Sequence, residues 1–390
     1  MNLVLARSEL RDLAEKALAG GRLAEADALR LLRTRDLNAL GALADAVRRR
    51  RVGDRASYIV NRYLNYSNYC ILSCQFCAFS RKKRDNDGFQ LTVDEMVAKA
   101  REALALGITE LHIVGGLHPS LPFTYYVDFV RALKALDPRL QLKCFTAIEI
   151  LHLAWLAKKP VADTLAELKA AGLDSLTGGG AEIFRPEVRR QIARGKESAV
   201  EYLDVHRTWH RLGGRSTCTM LYGHVESLED RVHHLGLLRG LQDETRGFTG
   251  FIPLAYQPDN NGLPVEHPPS GYDSLRTIAV SRLFLDNFDH VTAYWVGLGT
   301  KLAQVALSYG ADDLHGTILE EHIFHMAGAT SPQGRTEAEL VKAIREAGFT
   351  AVQRDTFYQP LRVWAPDELP GKPAPSRAAS PVLERNLATA

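Results

Sequence analysis

The chain has 390 residues, of which 46% are hydrophobic and 24% charged, an ordinary composition for a globular protein. A net charge of only +2 creates no global field that would attract nucleic acid, and no apolar run approaches the roughly 18 residues of a membrane span. The N-terminus turns charged before a secretory signal could form, which predicts a cytoplasmic protein. Five cysteines, an odd number, argue against a disulfide framework and suit a reducing compartment.

Residues 8–50 alternate Leu and Ala with charged residues at helical spacing, and Gly20-Gly21 divides them into two predicted helices. We expect residues 1–56 to form a helical extension of the main domain. Four arginines, residues 48–51, close the second helix, where cations suit the negative end of the helix dipole. A solvated helix end is therefore favoured over a nucleic-acid patch.

From residue 57 to 369, strand and helix patterns alternate, beginning with a predicted strand at Ser57–Leu64. Further strands, each preceded by a predicted helix, are expected at 110–114, 141–146, 173–176, 215–221 and 248–254. Later elements are expected at 275–287, 291–295, 301–308, 318–327 and 337–347. This alternation predicts an α/β fold, a (β/α)8-type, TIM-like barrel that is closed or nearly closed, with its chemistry at the carboxyl ends of the strands. Residues 370–390, rich in Pro, Ala and Ser, are expected to form a poorly packed tail.

Three of the five cysteines, Cys70, Cys74 and Cys77, follow the first predicted strand at C-x3-C-x2-C spacing. This spacing lets three thiolates converge on one metal centre from a short loop. A four-iron cluster held by three cysteines leaves one iron free for a small-molecule ligand. Zinc is the alternative, but a closed zinc site needs four ligands, and Cys144 and Cys218 are distant in the sequence.

Glycines and polar residues follow the next strands. Gly115-Gly116 allows close backbone approach to a ligand, with a plain turn as the alternative. After the third strand, the Glu149 carboxylate can accept two ribose hydroxyls or form a salt bridge. After the fourth, three glycines precede Glu182 and then Arg189, an arginine that could bind a carboxylate.

Candidate catalytic residues are His118, His224 and Glu182. Histidine changes its charge easily near neutral pH, so either histidine could transfer a proton or bind a carboxylate. His118 is preferred because it follows the glycine pair, and structural hydrogen bonding is the alternative for both histidines.

The cysteine spacing resembles that of the radical S-adenosylmethionine superfamily. The resemblance implies a 4Fe-4S cluster on the three cysteines, with S-adenosylmethionine bound to the open iron and consumed as a co-substrate. The implied cofactor contacts are Phe76, Gly115, Gly116, Glu149, Arg189 and Leu221. A flavodoxin- or ferredoxin-type protein is implied as electron donor.

Four longer motifs, at 115–119, 145–150, 178–184 and 219–224, narrow the resemblance to the family of aminofutalosine synthases. That family implies radical addition to the enolpyruvyl double bond of 3-[(1-carboxyvinyl)oxy]benzoate in menaquinone biosynthesis. Rearrangement and loss of a carboxylate then give 6-amino-6-deoxyfutalosine. Two alternatives share the architecture, a dehypoxanthine futalosine cyclase and a deazaflavin (FO) synthase. A zinc-stapled nucleic-acid-binding protein is a remote alternative.

Overall fold

The computed structural model describes residues 3–368 and residue 370, and within them strands and helices alternate around a barrel. The described strands are β1 (Arg55–Ile59), β2 (Asn61–Leu64), β3 (Glu110–Ile113), β4 (Gln141–Cys144), β5 (Ser175–Leu176), β6 (Arg215–Tyr222), β7 (Phe248–Ala255), β8 (Asp313–Gly316), β9 (Thr350–Arg354) and β10 (Pro360–Val363). Strands β2 to β7 form one parallel sheet in sequence order. A second sheet has the order β10-β9-β1-β8, in which the β9–β10 pair is antiparallel.

The two sheets join into a barrel because one extended segment serves both. Only Val60 separates β1 from β2, and β1 pairs with β8 while β2 pairs with β3. On the opposite side, Val291 bridges to Phe251 of β7, and Thr292 bridges to Asp313 of β8. The ring therefore runs from β2 through β7 to this bridge, then to β8 and back to β1. The predicted α/β barrel is confirmed.

Helices surround the barrel, and several of the longer ones begin at a serine or threonine that caps the first turn. The described α-helices are α1 (Leu3–Ala6), α2 (Arg11–Leu18), α3 (Glu25–Arg33), α4 (Leu37–Val52), α5 (Val93–Leu104), α6 (Phe123–Lys134), α7 (Ala147–Ala157), α8 (Val161–Ala171), α9 (Pro186–Ile192), α10 (Ala199–Arg211), α11 (Leu228–Thr245), α12 (Gly271–Phe284), α13 (Trp295–Leu298), α14 (Thr300–Ala306), α15 (Ile323–Met326) and α16 (Glu337–Glu346). The predicted capping box of Thr92 and Glu95 opens α5. None of the described helices combines the length and apolar character needed to cross a lipid bilayer.

The N-terminal extension contains four described helices, α1 to α4, where the sequence predicts two. The expectation of a solvated helix end is wrong for Arg48, because its side chain is fully buried. Its guanidinium donates to the carbonyl oxygens of Arg55 (2.8 Å) and Gly53 (3.2 Å) and so ties the end of α4 to β1. The domain boundary at residue 57 stays a prediction, and residues 371–390 of the predicted tail lie outside the described residues.

Two elements near the site differ from the prediction. Helix α7 begins at Ala147, with only two residues between it and the end of β4, so Glu149 lies in the first turn of a helix instead of at a strand end. The cause is a capping box of Thr146 and Glu149, which starts a helix at this point. Strand β8 is missing from the predicted elements, because its sequence Asp-Leu-His-Gly contains a single apolar side chain.

Candidate active site

A cavity of about 280 Å³ opens at the carboxyl ends of the barrel strands. Its wall contains the clustered cysteines, the glycine turns after β3 and β5, and side chains from inside the barrel. The predicted site residues that line it are Cys70, Cys74, Cys77, Phe76, Gly115, Gly116, Glu149, Glu182 and Leu221. The described wall does not include Arg189, His118 or His224.

The cysteine loop is held by contacts that leave its three thiols free. Lys82 Nζ donates to the carbonyl oxygens of Cys70 (2.9 Å) and Leu72 (2.6 Å). The three cysteines are half-buried free thiols that face the same cavity. Burial raises the pKa of the Cys70 thiol and raises that of Cys74 to about 12. These thiols become thiolates easily only when a metal centre compensates their charge.

This donor set fits an iron-sulfur cluster. Among the described residues, no three His, Cys, Asp or Glu side chains are placed so that together they could hold one metal ion. A four-iron cluster differs from a single ion because each cysteine binds a different iron atom. Three thiols on one loop, facing one cavity, match that requirement and leave the fourth iron open to a ligand.

The Gly115-Gly116 turn lies against the start of the cysteine loop. A Cβ atom on Gly116 would stand 2.2 Å from the carbonyl oxygen of Tyr69, and one on Gly115 would stand 2.6 Å from the ring of Tyr66. Neither position has room for a side chain. The turn therefore brings backbone atoms into the cavity wall beside the cysteines. The contact of this turn with S-adenosylmethionine stays a prediction.

Glu149 lines the cavity, but the protein already pairs its carboxylate. Oε1 accepts hydrogen bonds from the Tyr66 hydroxyl (2.8 Å) and the Gly115 N–H (3.0 Å). Oε2 accepts hydrogen bonds from the N–H and the hydroxyl of Thr146, both at 2.7 Å. Burial raises the pKa of Glu149 although these hydrogen bonds oppose the shift. The carboxylate thus fixes the glycine turn to α7, and its contact with a ribose stays a prediction.

Glu182 is paired with Lys196, a residue outside the predicted site. Lys196 Nζ contacts the Glu182 carboxylate, and both side chains are only 9% exposed. The same ammonium lies 5.5 Å from the centre of the Phe76 ring and lines the cavity. Burial opposes the charge of Lys196, but the carboxylates of Glu182 and Glu197 outweigh it and raise the lysine pKa. The pair therefore places a cation beside the cysteine loop.

The prediction of Arg189 as a cofactor contact is not supported by its position. Its guanidinium donates to the carbonyl oxygens of Ala181, Ile183 and Glu197, the last at 2.9 Å from Nε. These bonds hold together the segment that follows the three glycines. The Arg189 Nη2 atom also lies 3.5 Å from the Glu197 carboxylate, so the guanidinium is occupied by protein groups, which favours a positioning role.

The two histidine candidates lie outside the described cavity wall and bond to backbone groups. His118 Nδ1 accepts hydrogen bonds from the N–H groups of Ser120 and Leu121, both at 3.1 Å. His224 Nδ1 accepts from the Val225 N–H (2.7 Å), and Nε2 donates to the Leu221 carbonyl oxygen (3.1 Å). Burial lowers the pKa of both imidazoles. The geometry favours the structural alternative for both, because these bonds shape turns.

Deeper in the barrel, four polar side chains outside the predicted site lie at one level. Tyr63, His112 and Lys143 are lateral neighbours on β2, β3 and β4, and His315 of β8 lies against Tyr63. We call these four residues the inner belt. The Tyr63 and His112 rings are stacked with centroids 4.3 Å apart, and the Tyr63 hydroxyl lies 3.4 Å from His315 Nε2. Branched aliphatic side chains usually fill this part of a barrel, so a polar level needs an explanation.

Comparison with known proteins agrees with this geometry. Residues 64–238 match the model of the radical SAM superfamily, and residues 245–366 match the CofH/MqnC C-terminal region. An aminodeoxyfutalosine synthase of Thermus thermophilus is 48% identical over 90% of this chain and 96% of its own length. One from Streptomyces coelicolor is 44% identical over 95% of this chain and 97% of its own. A cyclic dehypoxanthine futalosine synthase of S. coelicolor is 39% identical over 92% of this chain and 90% of its own.

A solved structure supports the fold. The crystal structure of methylornithine synthase aligns with 87% of this chain and 97% of its own, with a TM-score of 0.71 at 18% identity. The barrel, the cysteine loop and the sequence match over most of the chain all indicate the same family. This protein belongs to the radical SAM superfamily, in the group that carries a CofH/MqnC C-terminal region.

Proposed function

We propose that the protein carries out the reaction of an aminodeoxyfutalosine synthase. It joins the 5'-deoxyadenosyl group of S-adenosylmethionine to 3-[(1-carboxyvinyl)oxy]benzoate and, after rearrangement and loss of carbon dioxide, releases 6-amino-6-deoxyfutalosine. The observation that carries the proposal is the 48% identity to a protein of that name over nearly the whole of both chains. The lower identity of 39% to the cyclic dehypoxanthine futalosine synthase favours the synthase over the cyclase reaction.

The cluster, when bound, supplies the electron that cleaves S-adenosylmethionine. Cys70, Cys74 and Cys77 hold it, and Lys82 fixes the loop that carries them. In the proposed complex, Lys196 offers its ammonium to the methionine carboxylate. Gly115 and Gly116 offer backbone atoms to the methionine amino group, and Phe76 and Leu221 flank the adenine.

The second half of the chain closes the cavity. Ile323 and Phe324 of α15 line it, and the Phe324 ring meets the Tyr294 ring edge to face with centroids 5.2 Å apart. An apolar wall keeps water from a reactive intermediate and holds the alkene close to the attacking carbon. These residues are therefore proposed to surround the aryl substrate.

We also propose a flavodoxin- or ferredoxin-type protein as electron donor and the cytoplasm as the compartment. All five cysteines are free thiols, which suits a reducing compartment. The cavity volume of about 280 Å³ suits small molecules, and no role in nucleic-acid binding is proposed.

The test uses anaerobically reconstituted protein, a chemical reductant, the enolpyruvyl benzoate and S-adenosylmethionine labelled in its adenosine. We expect the label to be covalently joined to the benzoate-derived product, because the adenosyl carbon adds to the alkene. Mass spectrometry of the product and measurement of released carbon dioxide check this expectation.

The matched control is Cys74→Ala, the same polypeptide with one proposed cluster ligand removed, which should form no labelled product. Label found only in 5'-deoxyadenosine, while the benzoate is consumed, would contradict the proposal. That result would favour hydrogen abstraction, as in the cyclase-like and FO synthase-like alternatives.

A further inference from the structure

The inner belt carries polar atoms that the protein leaves unpaired. His112 Nδ1 and His315 Nδ1 are buried and have no hydrogen-bond partner among the described residues. Lys143 is 3% exposed and lies beside His112 on the neighbouring strand, outside the described cavity wall. Buried polar groups are normally paired, so these two imidazoles in the wall of one cavity indicate a missing partner.

The belt can donate hydrogen bonds to an anion. Burial and the Lys143 ammonium lower the pKa of His112 to about 3, and they also lower the pKa of His315. Both imidazoles are therefore neutral at physiological pH and can each donate one hydrogen bond. Burial opposes the charge of Glu110, but Lys143 and His112 outweigh it and lower the Glu110 pKa to about 2. Burial lowers the pKa of Lys143, and the Glu110 carboxylate opposes that shift while accepting its own hydrogen bonds from Asn61 and Thr356.

The belt lies away from the cysteines. His112 precedes Gly115 by three residues, which corresponds to roughly 10 Å along a strand. His112 and His315 line the inner part of the same cavity whose outer part carries the cysteine loop. The proposed substrate has a carboxylate at each end, and its alkene must face the outer part, where the adenosyl group is released. Its ring carboxylate then points towards the belt.

We infer that the inner belt is the binding site for the ring carboxylate of the aryl substrate, with His112 as the direct contact and Lys143 supplying the charge behind it. The inference rests on the proposed function for the identity of that substrate. Tyr63 positions both imidazoles, because its ring stacks on His112 and its hydroxyl meets His315. The belt thus selects an aryl carboxylate over an uncharged aryl ether.

The experiment measures binding by calorimetry, with no turnover needed. Anaerobically reconstituted protein is titrated with 3-ethoxybenzoate and with 3-ethoxybenzamide, which share the ring and the ether but differ in charge. We expect the unsubstituted protein to bind the benzoate more tightly than the benzamide. In His112→Phe, which keeps a ring against Tyr63, the benzoate affinity should fall about tenfold to a hundredfold while the benzamide affinity stays unchanged.

His206→Phe is the matched control. His206 is fully buried and has an unpaired Nε2, but its Nδ1 bonds to Ser216 outside the cavity, so both affinities should stay unchanged. Lys143→Met is the second variant and decides the question if His112→Phe does not fold, since it should also lower the benzoate affinity selectively. Equal binding of the two ligands to the unsubstituted protein would overturn the inference. So would full benzoate affinity in a folded His112→Phe or Lys143→Met protein.

The result of this binding experiment can be distinguished from the result of the labelling experiment that tests the proposed function. If no labelled product forms but the benzoate preference depends on His112, the belt is a carboxylate site and the synthase reaction is wrong. If labelled product forms but neither variant alters the preference, the synthase reaction stands and the inference is wrong.

Discussion

Two groups of polar side chains lie in or near the wall of the barrel cavity. They differ in how many of their polar atoms have a hydrogen-bond partner within the protein. At the outer end, Glu149, Arg189, His118 and His224 have backbone or side-chain partners for the atoms that the sequence assigns to ligands. In the inner belt, buried nitrogen atoms have no partner among the described residues. A paired group shapes a site, whereas an unpaired group is available to a ligand. The difference separates residues that position the cavity wall from residues that contact its contents.

The cysteines belong with the unpaired group, and the largest expected effect comes from replacing them. Cys70→Ala, Cys74→Ala and Cys77→Ala should each abolish product formation, because two thiolates cannot hold a four-iron cluster. Iron and sulfide analysis after anaerobic reconstitution, together with the product assay, measures the loss.

Cys144→Ala and Cys218→Ala are the matched controls, since both cysteines are fully buried outside the cavity wall. They should keep a full complement of iron. Loss of iron in either control, as complete as in Cys70→Ala, would refute the three-cysteine assignment.

The next largest effect is expected at Lys196, which is paired yet faces the cavity. Lys196→Met leaves the Glu182 carboxylate buried without its cation, so the free energy of unfolding should fall by about 3–5 kcal/mol. Urea unfolding of the apoprotein measures the change. The double variant Lys196→Met with Glu182→Gln removes the unpaired charge and should recover much of the loss. A double variant no more stable than Lys196→Met would show that the lost stability does not come from the unpaired Glu182 charge.

The sequence predicts the cysteines and the paired glycines of the site far better than it predicts the contacts of Arg189 and Lys196. Cysteine spacing and paired glycines are local signals, because the ligand-binding geometry lies within one short loop. The contacts of Arg189 are not local, since its donors meet carbonyl groups on both sides of a turn. Lys196 reaches the cavity because residues 192–196 fold back against the cysteine loop, where the Gln75 N–H donates to the Ile192 carbonyl oxygen (2.7 Å).

The inner belt has a sequence signal that could have revealed it. Asn61 and Tyr63, Glu110 and His112, and Gln141 and Lys143 occupy alternate positions of three successive strands. Side chains at alternate positions share a face, but the default assumption places polar residues on the outside. Only the register between the strands shows that these six residues form two levels inside the barrel. The fold could therefore be predicted in outline, whereas the lower part of the site required the structure.

A smaller effect is expected at Glu149, which tests whether a paired carboxylate also contacts a ligand. Glu149→Gln places an N–H₂ group where two donors already point, so S-adenosylmethionine should bind about tenfold to a hundredfold more weakly. Tyr66→Phe removes one donor to Glu149, and a positioning role predicts a loss of about fivefold. Equilibrium binding to the reconstituted protein measures both. An effect in Glu149→Gln with none in Tyr66→Phe would indicate direct contact with the ribose, and no effect in either would exclude both roles.

The smallest effect is expected at His118, the histidine that the sequence favours as a proton carrier. His118→Asn keeps an acceptor for the Ser120 and Leu121 N–H groups, because an amide oxygen replaces Nδ1. Turnover should stay within about threefold of the unsubstituted protein, a change of less than about 1 kcal/mol in the barrier, with an unchanged pH profile. His118→Ala removes the acceptor and should cost about 1–3 kcal/mol of stability through two unpaired N–H groups. If His118→Asn keeps its stability but loses turnover by more than about a hundredfold, the imidazole takes part in the chemistry and full pairing does not identify a positioning residue.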